Sequence, residues 1–251
     1  MKSIELFLAV GVAIATGIPT NETVTAVESE IAIEESTEAN TRENTLLLAQ
    51  GAEGGEGGGE LSPGEQANAD FQDKLSGAEL LSALQEGGHV IYFRHAQTEK
   101  DYADQVTADV NDCSTQRALS EAGWQQANAI GDAFADAEIP IGKVTTSEYC
   151  RAWQTAGLAF GEYEKNSALN FLPFEDYTED QVEQMKSNVM PLLTAVPENG
   201  MNNIIVGHDD IFESATGIYP DPQGMAYIVK PDGNGSFEIL ANMLPEEWGE
   251  L

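Results

Sequence analysis

Val90-Ile91-Tyr92-Phe93-Arg94-His95-Ala96-Gln97-Thr98 is the stretch on which the reading of this chain turns. Four apolar residues, β-branched and aromatic, run without alternation into an arginine and a histidine. A continuous run of this kind predicts a strand buried on both faces, as in a parallel sheet. Arg94 and His95 then fall at its carboxyl end. Asn203-Ile204-Ile205-Val206-Gly207-His208 repeats the pattern and delivers a second histidine at its last residue. Open α/β sheets bind ligands outside the carboxyl ends of their strands, so the pattern predicts two histidines facing one another across a crevice.

The segments around these strands alternate in type. Ser76 opens a helix with Leu80, Leu81 and Leu84 on one face and a Gly87-Gly88 stop. His89, at the opposite end of its strand from the chemistry, reads as a structural histidine. Residues 96–118 lack periodicity and read as a long loop over the strand end, a place where loops carry function. Its aspartates read as a solvated acidic surface rather than a metal site. Ser120 caps a helix to about Ala137, with Trp124, Ala127, Ile130 and Phe134 on the core-facing spacing. A short strand, residues 143–147, precedes Arg151 and a helix to Phe160. Leu169 to Phe174 predicts another strand. Thr178 caps a helix through Ala195, in which Pro191 predicts a kink or an early end. Asp209 to Thr216 is a short helix, and residues 225–230 and 236–240 form a terminal hairpin. The fold class that follows is α/β: a three-layer sandwich with a mainly parallel sheet flanked by helices, ending in a C-terminal β-hairpin.

Composition divides the chain into three parts. Residues 1–26 carry Lys2 and an apolar stretch from Leu6 to Ile18, the layout of a signal peptide or N-terminal anchor. Residues 27–70 are rich in Glu and Gly, including the run from Gly51 to Glu60, and read as a disordered acidic linker. Residues 71–251 form the catalytic-looking domain. The chain is an acidic protein of net charge −32, and residues 71–251 alone hold 30 acidic residues against 9 lysines and arginines. Nucleic acid is thereby excluded as a partner, and no membrane insertion is expected beyond the N-terminal segment. So acidic a surface suits a salty medium. An export signal implies an extracytoplasmic, periplasmic or secreted, location, with tethering by the N-terminal segment. Cys113 and Cys150 are the two cysteines; they read either as a disulfide of an exported protein or as two reduced, partly buried thiols. Neither zinc spacing nor a nucleotide-binding glycine motif is present, so no metal and no organic cofactor is expected.

Arg94-His95, then Leu119-Ser120-x-x-Gly123 with Gln126-Ala127, then Ser147-x-x-x-Arg151-x-x-x-Thr155-Ala156, then Gly207-His208 together resemble the histidine phosphatase superfamily, also called phosphoglycerate-mutase-like. The match spans roughly residues 89 to 217. The resemblance implies a phosphomonoester hydrolase acting on a small phosphorylated substrate through a phosphohistidine, with His95 as nucleophile. His208 would stabilise the developing charge, Arg94 and Arg151 would hold phosphoryl oxygens, and Gln97 and Thr98 would contact substrate. This residue set also makes sense on chemical grounds alone: planar guanidinium groups grip phosphoryl oxygens in pairs, and a neutral imidazole can attack phosphorus.

A proton donor for the leaving oxygen is expected as well. Asp209, directly after His208, is the first choice; Glu175, beside Asp176, is the other. Arg117 reads equally as a loop anchor. One departure from the family pattern is Ala96, where a glycine is usual. Alternative readings are a protein phosphohistidine or phosphoprotein phosphatase, and a non-catalytic phosphate-binding module.

Overall fold

A computed structural model describes residues 60–100, 103–105, 108–172 and 177–251. The proposed signal, most of the acidic linker and Glu175 lie outside the described residues. Six strands, β1 (Val90–Arg94), β2 (Ile141–Thr146), β3 (Glu164–Lys165), β4 (Asn202–Gly207), β5 (Ala226–Pro231) and β6 (Phe237–Met243), form one sheet in the order β3-β2-β4-β1-β5-β6. The first four are mutually parallel, and the β5–β6 hairpin adds to β1 in antiparallel fashion.

Every residue of β1 is buried, as its unbroken apolar run requires. Alternation sends Ile91 and Phe93 to one face and Val90 and Tyr92 to the other. Three helices cover the first face: α2 (Gly77–Glu86) through Leu80 and Leu84, α3 (Glu121–Asp136) through Ile130 and Phe134, and α4 (Cys150–Phe160) through Ala152 and Ala156. The second is covered by α5 (Glu179–Leu193) through Met185 and Val189 and by α6 (Asp209–Thr216) through Ile211 and Phe212. The result is a three-layer mixed α/β sandwich.

Three local readings differ, and a fourth, the early end at Pro191, is seen: its helix stops at Leu193, short of Ala195. A further helix, α1 (Pro63–Ala69), lies inside the stretch assigned to the linker. It has a capping box of Ser62 and Glu65, and its Asn68 bonds the Asp221 carbonyl and the Tyr227 hydroxyl, so the ordered domain starts before residue 71. Trp124 is 50 % exposed, because Gly123 is the residue turned inward: a Cβ there would stand 1.9 Å from the Gln97 carbonyl. The apolar run from Leu169 is no strand over its described part. Asn166 caps a turn at Ser167–Leu169 that buries Leu169 as a single anchor, and the edge strand is the polar β3. Pro191 is accommodated in the last turn of α5, where the helix is about to end.

Candidate active site

Three parallel strands deliver the site. Arg94 pairs in register with Gly207, so β1 and β4 end level and release His95 and His208 side by side. The His95 N–H donates to the Gly207 carbonyl at 3.0 Å, and the Ser147 N–H to the Val206 carbonyl at 3.0 Å. Ser147, His208 and His95 therefore stand in a row above the sheet. The two imidazoles lie 5.4 Å apart between ring centroids, crossed at 66°.

His95 is fully buried, and its Nδ1 lies 2.9 Å from the Ala96 carbonyl, which can only accept. That bond places the proton on Nδ1 and leaves a lone pair on Nε2. The Arg151 Nε–H points at that lone pair at 3.1 Å. Burial, and then Arg151, His208 and Arg94, push the His95 pKa well below the usual range. The ring is thus held neutral and nucleophilic.

Arg151 sits in the first turn of α4. Its guanidinium lies 5.1 Å from the Tyr149 ring centroid and 5.2 Å from that of Phe171, and it pairs with Asp104 at 3.0 Å. Arg94 pairs with Asp209 at 2.6 Å and Asp221 at 2.7 Å, bonds the Pro220 carbonyl at 2.9 Å, and lies over the Tyr219 ring. Arg117 joins the same field: burial, then Arg151 and Arg94, lower its pKa. Arg94 and Arg151 thus flank the two imidazoles, with Arg117 within their electrostatic reach. Asp104, read with the other aspartates of its loop as solvated surface, is instead the partner of Arg151, and Asp221 is a partner that the sequence did not single out.

His208 is clamped through its backbone. The fully buried Tyr92 hydroxyl donates to the His208 carbonyl at 2.7 Å and accepts from its N–H at 3.0 Å. Gly207 makes room for this, since a Cβ there would lie 2.3 Å from the same oxygen. The His208 ring packs edge-on to Tyr149 and Phe171. Burial and then Arg151 keep its pKa well below the usual range, against the opposing pull of Asp209.

The expected proton donor, Asp209, is placed otherwise. Burial alone would raise its pKa, but Arg94, the Tyr219 hydroxyl and His208 outweigh that, so the group stays a carboxylate. A proton donor needs the opposite direction. Its neighbour Asp210 is pushed up to about 7 by burial and by Asp209, with its Oδ2 accepting from the Tyr177 hydroxyl at 3.3 Å.

Gln97 and Thr98, expected on the substrate, are engaged in the scaffold. The Gln97 backbone receives Ser120 and donates to Gln126, and the buried Thr98 hydroxyl donates to Gln223 at 3.2 Å. Ala96 leaves the pocket clear. Its methyl packs with Leu119 and Ala127, and its N–H donates to the Thr155 hydroxyl at 3.0 Å. Cys113 and Cys150 are joined in a disulfide that ties the loop to the first residue of α4. Among the described residues there is no cluster of His, Cys, Asp and Glu able to hold a metal ion.

A doubly covered α/β sheet with two imidazoles and two guanidinium groups over the carboxyl ends of its parallel strands defines a domain built for phosphoryl groups. Residues 90–209 match the model of the histidine phosphatase superfamily (branch 1), and this segment belongs to that superfamily. Among solved structures, the protein histidine phosphatase SixA complexed with tungstate is similar at 16% identity and a TM-score of 0.47, covering 63% of this chain and 98% of that one. A phosphoserine phosphatase mutant from Entamoeba histolytica is similar at 14% identity and 0.44, covering 63% and 98%. A mycobacterial glucosyl-3-phosphoglycerate phosphatase is similar at 15% identity and 0.45, covering 61% and 97%. No curated protein matches the chain.

Proposed function

We propose that the domain hydrolyses phosphate monoesters in two displacements, with His95 as the nucleophile. The observation that carries this is the Nδ1 contact to the Ala96 carbonyl, which leaves a lone pair on Nε2 facing Arg151, with Arg94 in the same field. Nε2 attacks phosphorus and the ester oxygen leaves; water then attacks the phosphohistidine and releases inorganic phosphate, restoring the neutral ring. Arg94, set by Asp209 and Asp221, and Arg151, set by Asp104, hold the equatorial oxygens. The proton for the leaving oxygen is better sought at Asp210 than at Asp209, because only the former holds one near neutral pH. Arg94 and Arg151, buried beside two histidines held neutral, give an anion a local cationic foothold in a chain of net charge −32.

An extracytoplasmic location is part of the proposal, supported by the Cys113–Cys150 disulfide, a bond that persists in oxidising compartments. Among the described residues, no helix is long and apolar enough to cross a membrane. The test is rapid mixing with a chromogenic aryl phosphate. The expected result is a burst of one equivalent of phenol and an acid-labile, base-stable phosphoenzyme, both missing in His95→Ala. A variant that still shows the burst would place the nucleophile elsewhere.

A further inference from the structure

Ser147 follows β2 directly and is wholly buried. Its hydroxyl has one proton and three polar neighbours: Asn170 Oδ1 at 2.8 Å, the Tyr149 N–H at 3.2 Å and His208 Nε2 at 2.9 Å. The direction of each bond follows by elimination. A backbone N–H can only donate, so the Glu148 N–H at 2.9 Å requires oxygen as the Asn170 amide atom facing it. The Asn170 nitrogen then donates to the Glu148 carboxylate at 2.8 Å. An amide oxygen can only accept, so Ser147 gives its single proton to Asn170. The serine oxygen meets His208 with a lone pair, and Nε2 of that ring must carry the proton. Nδ1 of His208 has no hydrogen-bond partner among the described residues and is the nitrogen left for a ligand.

We propose that Ser147, oriented by Asn170 and Glu148, is a positioning residue that fixes the His208 proton on Nε2, so that His208 engages the phosphoryl group through Nδ1 as a cation after taking a proton from the monoanionic ester. The inference rests on the phosphatase reading above. In the step it adds, the O–H bond of the ester monoanion breaks, the proton bonds to Nδ1, and the electron pair stays on the phosphoryl oxygen. The bound state is then a dianionic phosphoryl group against an imidazolium, with total charge unchanged. Without that proton, two lone pairs would face one another. The groups around the ring are Arg94 from β1, Arg117 from the loop, Arg151 from α4, Asp209 from α6 and the imidazole of His95, with Tyr149 and Phe171 against its edges. Burial and the arginines keep the resting ring neutral, and of these groups Asp209 alone favours the cation.

The chain contains three histidines, so NMR of isotope-labelled ring nitrogens resolves His208 by comparison with single-histidine variants. In the free protein above neutral pH, Nε2 of His208 is expected protonated and Nδ1 bare; with vanadate bound, both are expected protonated. Asn170→Leu leaves Ser147 free to donate to Nε2, and His208 is expected to lose its tautomer preference. Ser147→Ala should lose it too, and Ser147→Thr should restore it. In kinetics, kcat/KM of the native chain should fall above the second ionisation of the ester, at pH ~6, and in Asn170→Leu this fall should flatten, because a ring that can carry its proton on Nδ1 also accepts the dianion. A free protein with the proton on Nδ1, or an unaltered tautomer and pH profile in Asn170→Leu, would overturn the proposal. The tautomer of the native chain needs neither a variant nor turnover, so an absent phosphatase activity and a wrong tautomer are read separately.

Discussion

Asp209 stands where a proton donor is expected and is held in the form that cannot give a proton. Its partner Arg94 keeps it ionised, so its work is to set that guanidinium, together with Asp221. Asp209→Asn should therefore lower kcat/KM by a similar factor for an aryl phosphate and for an alkyl phosphate. Removal of a true donor would cost ~10²–10⁴-fold on the alkyl ester and little on the aryl one. Comparing the two substrates decides the matter, and a loss confined to the alkyl ester would restore Asp209 as the acid. His95 carries a second expectation with a sign. Burial and the neighbouring cations lower its pKa, so the neutral nucleophile persists below the ordinary histidine value, and the acid limb of kcat/KM should fall well under pH ~6.5. A limb at or above that value would mean the pocket does not protect the lone pair. Gly207 tests the backbone clamp: Gly207→Ala drives a Cβ into the Tyr92 hydroxyl and should cost about 1–3 kcal/mol in denaturant unfolding, with a matching fall in turnover.

At the scale of elements, α4 is the piece most heavily tied down. Gln116 accepts from its first N–H at 2.7 Å, and the Cys113–Cys150 disulfide closes a separation of 37 residues at the same point. By loop-closure entropy that bond should contribute ~4 kcal/mol, so the urea midpoint should drop clearly with reductant or in Cys113→Ser with Cys150→Ser. An unmoved midpoint would show that packing alone fixes the helix. Turnover should fall alongside, because Arg151 leaves from the turn being loosened. How far such features were legible depends on sequence distance. β1, β4, α3 and α6 could be read because apolar runs, spacing and caps are local, and Arg94, His95, Arg151 and His208 because strand ends expose them. The roles of Ser147, Asn170, Asp104 and Asp221 rest on pairings 23, 47, 61 and 127 residues apart, which no local pattern encodes. The ties of the Gln97 and Thr98 backbone to Gln126 and Gln223, 29 and 125 residues away, were illegible for the same reason. Helix α1 was missed because its Gly- and Glu-rich surroundings hide a capping box whose packing partners arrive more than 150 residues later.

Across the whole molecule, charge is the dominant constraint. Forty-three acidic residues oppose eleven lysines and arginines, while the arginines that matter are concentrated in one pocket. The ion pairs outside that pocket, such as Lys74–Glu238 and Lys143–Glu164, are exposed and contribute at most about 1 kcal/mol each. They cannot offset a repulsion that acts over the entire surface. Salt can, since the screening length shrinks from ~30 Å at 0.01 M to ~3 Å at 1 M. Screening also weakens the buried pairs of Arg94 and Arg151, but far less, because solvent ions reach them poorly. The two effects therefore have opposite signs and unequal size, and the surface term should win. Calorimetry in rising sodium chloride should show Tm climbing steeply at low salt and levelling as the screening length falls below the spacing of surface carboxylates. A Tm that falls from the lowest salt upward would mean that the internal pairs, not surface repulsion, set the stability of this chain.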